Sequence, residues 1–200
     1  MAAAYGQPFL YTLTGFKWIG RVPGLAYGYE EAIGYCIDPE AVPDKDGISA
    51  LIMVLTLAAR LKAEGRSIAD RLDEIAGRYG VYQTDQLSVR VEDPKIITAA
   101  MARLRAHPPG VLAGQATSVL DLAQGTDELP PTDAILITGE MIKIVVRPSG
   151  TEPKLKCYLE AHLDVARSAD IAATRAEARS MLATIRSEMS AAPAPCRAAE

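Results

Sequence analysis

The sequence predicts part of an α/β domain followed by a small α+β domain with an antiparallel sheet, and three observations carry that prediction. Residues 84–190 show strand and helix signals in the order strand, helix, strand, hairpin, strand, helix, the pattern of a two-layer α+β unit. Residues 1–80 carry two helical patterns, one or two strand-like stretches and a long glycine-rich connection, as in a portion of an α/β domain. Apolar residues make up 49% of the 200, enough to bury a core.

In the first part, Phe9–Thr14 reads as a strand entering the loop Gly15-Phe16-Lys17-Trp18. Gly20 to Gly34 is too interrupted by glycine for a regular helix. Asp44 or Asp46 caps a helix from about Ile48 to Glu64, with Gly65 at the left-handed position that ends it. The centre of that helix, Ala50–Ala59, is apolar and too short to span a bilayer, so it predicts a buried helix in a soluble protein. Ser67 starts another helix. Its Ile68, Leu72, Ile75 and Tyr79 share one face, and Gly80 stops it.

In the second part, Leu87, Val89 and Val91 alternate with polar residues as in a half-buried strand. Asp93-Pro94 opens a helix with the buried stripe Ile97, Met101, Leu104, ended by Pro108-Pro109. A short strand follows over Thr117–Leu122. The β-rich runs Ala134–Thr138 and Met141–Arg147 flank Gly139-Glu140, a two-residue turn with glycine where a type II′ hairpin places it. Lys154–Leu163 alternates, with Leu155, Cys157, Leu159, Ala161 and Leu163 inward. Ser168 or Asp170 caps a last helix that buries Ile171, Ala178, Leu182, Ile185 and Met189. Residues 191–200, rich in Ala and Pro, predict a disordered tail, and the chain shows no internal repeat.

Net charge is −4, so no basic field serves general nucleic-acid binding, and any anion must be held by a local site. Cys36, Cys157 and Cys196 are odd in number and match no metal or redox spacing, which fits reduced thiols in the cytoplasm. His107 and His162 are too few for a His-rich metal site. The N-terminus lacks the basic-then-apolar pattern of a signal peptide.

Two loops carry chemistry. Arg147-Pro148-Ser149-Gly150-Thr151-Glu152-Pro153 joins two strands. A guanidinium at a strand end grips phosphate through paired hydrogen bonds, and Ser149 and Thr151 add hydroxyl donors. Gly150 lets the backbone turn its N–H groups toward an anion, and Pro148 and Pro153 stiffen both ends. A plain connection rich in turn residues is the competing reading. The second loop, Gly28-Tyr29-Glu30-Glu31-Ala32-Ile33-Gly34, carries adjacent carboxylates suited to bridging sugar hydroxyls, although adjacent acids are also ordinary surface decoration.

Arg147–Pro153 with Lys154-Leu155-Lys156 resembles the phosphate-binding loop in the last domain of the α-D-phosphohexomutases, which include phosphoglucomutases and phosphomannomutases. Three more segments are similar to that family, in its order. Thr14–Ile19 resembles a lysine-bearing loop, residues 28–34 the Glu-Glu-Ser sugar loop with Ala32 in place of serine, and Asp44–Ile48 a Lys-Asp-Gly helix start. The resemblance implies phosphate contacts from Arg147, Ser149, Gly150 and Thr151, and sugar contacts from Glu30 and Glu31. It implies that Lys17 and Lys45 line the cleft, while Asp46 reads as a helix cap on its residue type and position.

The family is an isomerase-class intramolecular phosphotransferase of carbohydrate metabolism. It uses a phosphoserine in its first domain and magnesium on an Asp-x-Asp-x-Asp triplet in its second, and neither motif occurs here. The expectation is therefore a C-terminal, substrate-binding fragment (the end of domain 3 plus domain 4) with no catalytic residue and no metal or cofactor of its own. It is expected to be inactive alone and cytoplasmic, without nucleic-acid or membrane partners. It would bind mannose or glucose phosphates, with the family's remaining domains as a partner. The alternatives are a stand-alone sugar-phosphate binding module and a non-functional remnant of a truncated gene.

Overall fold

The computed structural model describes residues 1–31, 34–165 and 170–191. The chain divides into two compact units, Met1–Glu74 with Asp127–Pro130, and Ile75–Thr126 with Pro131–Glu200.

The first unit contains the one-turn helix α1 (Phe16–Ile19), the strands β1 (Gly28–Glu30) and β2 (Gly34–Cys36), helix α2 (Gly47–Ala63) and the start of α3 (Ile68–Tyr79). Its core is small: Phe16, Ile19 and Cys36 are buried, with Leu25 packed against them. β1 and β2 pair antiparallel, Gly28 opposite Cys36 and Glu30 opposite Gly34. Glycine is required at both ends of that ladder. A Cβ on Gly28 would lie 2.7 Å from Ile19 Cγ2, and one on Gly34 would lie 2.6 Å from Phe16 Cε2. Asp46 caps α2, its Oδ1 accepting from the Ile48 N–H at 2.9 Å, and Gly65 at φ 70° ends it. At the start of α3, Ser67 and Asp70 cap each other: the Ser67 N–H donates to Asp70 Oδ2 and the Asp70 N–H to Ser67 Oγ.

Two expectations fail in this unit. Phe9–Thr14 forms no strand, because strand N–H and C=O groups need a neighbouring strand and none pairs with this segment among the described residues. The middle of α2 is not buried: Ile48 is 74% exposed and Leu51, Ile52, Met53, Val54 and Leu55 are 51–60% exposed. Apolar composition predicts burial only where another element arrives to cover the helix, and here only Ala50 and Leu61 are covered. The apolar face expected of α3 is likewise incomplete, since Ile68 and Leu72 are exposed.

The second unit follows the expected order with one added hairpin: β3 (Val81–Arg90), α4 (Pro94–Ala106), the added pair β4 (Val111–Leu112) and β5 (Gln115–Ala116), β6 (Ser118–Asp121), β7 (Ile135–Thr138), β8 (Ile142–Pro148), β9 (Lys154–Leu163) and α5 (Ile171–Ser190). Strands β3-β9-β8-β7-β6 form one antiparallel sheet. Alternation puts Ile142, Ile144 and Val146 of β8 and Leu155, Cys157, Leu159, Ala161 and Leu163 of β9 on one face. That face is covered by Ile97, Ala100, Met101 and Leu104 of α4 and by Ala178, Leu182, Ile185 and Met189 of α5. Both predicted stripes are thus core, apart from Ile171, which is only partly buried. Asp93 and Asp170 cap their helices, accepting from Lys95 and Ala172 N–H groups at 2.9 and 2.8 Å. Ser168, the alternative cap, and residues 192–200, with Cys196, lie outside the described residues.

The β7–β8 turn differs by one residue from expectation. Thr138 pairs with Lys143 and the Gly139 N–H donates to the Ile142 carbonyl, so the tip is Glu140-Met141. Gly139 is not at positive φ, so the type II′ requirement does not apply. The turn is held instead by Gln115, whose side-chain oxygen accepts from the Met141 N–H at 2.8 Å. That contact comes from the unanticipated β4–β5 hairpin, whose tip holds Ala113 at φ 48° and Gly114 at φ 73°.

Candidate functional site

The residues predicted to bind phosphate sit where β8 turns into β9. The loop closes through two backbone bonds, the Ser149 N–H to the Lys154 carbonyl at 2.8 Å and the Lys154 N–H to the Glu152 carbonyl at 2.7 Å. Glu152 ties its outer end by bridging Arg90 of β3 at 2.7 Å and Lys154 of β9 at 2.8 Å. Lys154, and then Arg90, hold the Glu152 carboxyl below its usual range. Among the described residues, the N–H groups of Gly150 and Thr151 and the hydroxyls of Ser149 and Thr151 have no intramolecular partner, so they are available to an anion.

The strand pleat keeps Arg147 out of the cavity that the rest of the loop lines. Residues 148–153 line a cavity of about 530 Å³ with Glu92, the first turn of α4 (Pro94, Ile97, Thr98) and Asp133. Arg147 does not line it. It lies on the opposite sheet face from buried Val146, directly across from Lys156 of β9. Charge therefore differs between the two sides of the loop: carboxylates (Glu92, Asp133, Glu152) around the cavity, and the cations Arg147 and Lys156 on the open face. Lys156 is not among the predicted site residues, yet the alternation of Lys154–Leu163, with Leu155 and Cys157 inward, already turns it outward as Arg147 is.

Gly150 behaves differently from expectation. Its φ is not positive and a Cβ there would meet nothing within 4 Å. The fold does not demand glycine at this position, so any requirement comes from what approaches the loop from outside.

In the first unit, the β1–β2 ladder divides the adjacent acids. Glu30 turns inward with a side chain only 13% exposed, whereas Glu31 is exposed at the hairpin tip. Ala32, the departure from the family's serine, lies outside the described residues. The Glu30 Oε1 atom pairs with the Lys45 ammonium, and its Oε2 atom is buried without a hydrogen-bond partner among the described residues. Lys45 also reaches over the Phe16 ring, 5.8 Å from its centroid. A Cβ on Gly34 would come within 2.5 Å of Glu30 Cγ and 3.3 Å of Lys45 Cε, so glycine there leaves room for the pair. Lys17 is exposed, its ammonium 5.6 Å from the Trp18 ring centroid. The structure thus brings Glu30 and Lys45 together, and leaves Glu31 and Lys17 on the surface.

Cys36 is fully buried, and burial raises its pKa, so it stays a thiol at neutral pH. Among the described residues, no group of three or more His, Cys, Asp or Glu side chains is arranged to hold a metal ion, and no helix is long and apolar enough to cross a membrane.

Known proteins resemble both units. Residues 1–79 match the phosphoglucomutase/phosphomannomutase α/β/α domain III, and residues 87–178 match the C-terminal domain of the same family. A probable phosphomannomutase of Haemophilus influenzae is 44% identical over 163 residues, covering 80% of this chain and 33% of that protein. A probable phosphoribomutase of Schizosaccharomyces pombe is 34% identical over 189 residues, with 80% and 32% covered. A phosphoglucomutase of Staphylococcus haemolyticus is 34% identical over 174 residues, with 76% and 32% covered. The chain therefore spans about one third of the length of these relatives. The crystal structure of parafusin (a phosphoglucomutase) from Paramecium, in an open form, shares the fold, with TM-score 0.65 at 19% identity over 94% of this chain and 35% of that one. Two family domains in their family order, and the loop Arg147–Pro153 within the second, place this chain in the phosphoglucomutase/phosphomannomutase family, as its domain III and C-terminal portion.

Proposed function

We propose that this chain is the substrate-binding part of a phosphohexomutase acting in the cytoplasm on hexose phosphates. In that reading it holds the non-reacting phosphate of a mannose or glucose phosphate and orients the sugar, without interconverting sugar phosphates by itself. The observation that carries this is the loop Ser149–Thr151, with free N–H and hydroxyl donors, set beside the Arg147–Lys156 cation pair in a domain of this family. Arg147 supplies a fork of donors to two phosphate oxygens, and Lys156 adds a point charge on the same face. Ser149 and Thr151 donate to the remaining oxygens, and Gly150 lets a phosphate oxygen approach the backbone.

Glu30 and Glu31 are assigned to sugar hydroxyls. Glu30 has the stronger support, because its buried Oε2 atom lacks a donor that a hydroxyl would supply. Lys45 pairs with that carboxylate and, with Lys17, is assigned to the cleft wall. Fixing both ends of the substrate is how such a part raises the rate of a transfer carried out elsewhere.

Calorimetric titration of the purified chain with mannose 1-phosphate, glucose 1-phosphate and inorganic phosphate tests this reading. Binding that is lost in Arg147→Ala supports it; a folded chain that binds none of the three overturns it. Mutase turnover by the highly purified chain would overturn the statement that it is inactive alone. The rival reading, a stand-alone binding module, draws on the complete core of the second unit. It predicts the same affinity with and without residues 1–74.

A further inference from the structure

Cross-strand partners share a sheet face, and every second residue of a strand returns to it, so the face that carries Arg147 and Lys156 is ordered in rows. The row at the loop holds Arg147, Lys156 and, on β3, Ser88. The next row along the strands holds Val145, Tyr158 and, on β3, Gln86. The third holds Lys143, Glu160 and, on β3, Thr84. Tyr158 and Val145 thus form an apolar patch between two polar rows, about 7 Å from the cations, the advance of two strand residues. Both are half-buried, and neither belongs to the core that α4 and α5 cover. Among the described residues, the Tyr158 hydroxyl and the Gln86 side-chain amide have no hydrogen-bond partner.

We infer that Tyr158 is the residue that takes the sugar ring, with the phosphate held one row away by Arg147 and Lys156. The inference rests on the substrate-binding reading and adds to it the seat of the ring and a residue that selects for it. A pyranose presents C–H groups on its faces and hydroxyls around its rim. An aromatic ring beside an aliphatic side chain suits such a face, and polar groups at the edge of the patch suit the hydroxyls. Tyr158 and Val145 supply the first, and the Gln86 amide and the Tyr158 hydroxyl supply the second.

The cavity on the other side of the loop is the alternative seat for the ring. Its lining includes the carboxylates Glu92, Asp133 and Glu152. Asp133 is bound to Arg105, and Glu152 to Arg90 and Lys154, which leaves Glu92 as the carboxylate a sugar hydroxyl would meet there. Arg147 does not line that cavity, so a ring seated in it would lie across the loop from the guanidinium.

Calorimetric titration of the full chain with inorganic phosphate, glucose 1-phosphate and mannose 1-phosphate tests this, in the wild type and in Tyr158→Ala, Tyr158→Phe and Glu92→Gln. The wild type should bind at least one hexose phosphate more tightly than inorganic phosphate. Tyr158→Ala should reduce that preference roughly fivefold, the scale of one aromatic contact, and leave inorganic phosphate binding unchanged, which also reports an intact loop. Tyr158→Phe should keep most of the preference, and Glu92→Gln all of it. The inference is overturned if the wild type binds sugar phosphates and inorganic phosphate equally, or if Tyr158→Ala leaves the preference or weakens all three ligands alike. It is also overturned if Glu92→Gln removes the preference. Each of those outcomes leaves phosphate binding by the wild type, and so the substrate-binding reading, in place. A folded chain that binds none of the three overturns that reading and this inference together.

Discussion

Arg147 and Lys156 are direct cross-strand partners on β8 and β9, two cations facing each other on the sheet surface away from the core. Like charges directly opposite each other are unfavourable in a sheet, and a phosphate held on that face, as proposed above, would relieve the repulsion. Lys156→Ala should weaken phosphate binding by roughly tenfold, the scale of one charge-assisted hydrogen bond. It should leave the melting temperature unchanged or slightly higher. Titration at low and high salt with a parallel melt checks both, and a melt lowered by several degrees with unchanged affinity would refute the assignment.

Gly150 offers a cleaner separation of fold from binding. Because a Cβ there has open space and the φ is not positive, Gly150→Ala should change stability by no more than about 0.5 kcal/mol. The methyl would instead stand where a phosphate oxygen approaches, so affinity should fall severalfold. Equal affinity for wild type and variant would show that no ligand comes close to that residue.

Gly34 is the reverse case. A Cβ would sit 2.5 Å from Glu30 Cγ and 2.6 Å from Phe16 Cε2, and Gly34→Ala should cost about 1–3 kcal/mol in the first unit. Hydrogen exchange within β1 and β2 reads that loss locally. Lys45→Ala should loosen the same hairpin by leaving the mostly buried Glu30 carboxylate without its partner, and Lys45→Ala with Glu30→Gln should recover much of the loss.

Arg105 joins Asp121 at 2.8 Å and Asp133 at 2.6 Å, clasping α4 to the end of β6. The Arg105 hydrogen bond holds the Asp121 carboxyl below its usual range. A carboxyl depressed by folding contributes stability that is present above the unfolded pKa of about 3.9 and lost as pH falls through the folded value. The groups are about a third or more exposed, which limits the contribution to less than about 1 kcal/mol. Acid denaturation below about pH 4 should therefore be shallower in Asp121→Asn, with little change of slope near neutrality, measured by urea melts across that range.

At the tip of the β4–β5 hairpin, Ala113 holds φ 48° while its N–H donates to Glu188 of α5 at 2.7 Å. Asparagine tolerates that conformation better than alanine. Ala113→Asn should raise stability by about 0.5 kcal/mol, read as a higher urea midpoint at constant slope.

The second unit was legible in the chain because each of its signals is local and mutually consistent. The alternation in Lys154–Leu163, the stripes of α4 and α5, and the Asp93 cap all name the same buried face, and the structure uses that face. The loop Arg147–Pro153 was legible as a strand-to-strand connection for a similar reason: its turn residues and flanking strands lie within one short stretch. The slip at Gly139-Glu140 arose because turn propensity cannot see Gln115, which arrives from another hairpin to hold the Met141 N–H.

The sequence by itself determined the family and the main elements of the second unit, since both are written in neighbouring residues. Only the tertiary structure decided which side of each element matters. The pleat carries Arg147 away from the cavity and toward Lys156. The β1–β2 ladder turns Glu30 inward to Lys45 and Glu31 outward. The apolar centre of α2 is left uncovered, because burial depends on what packs against a residue as well as on the residue.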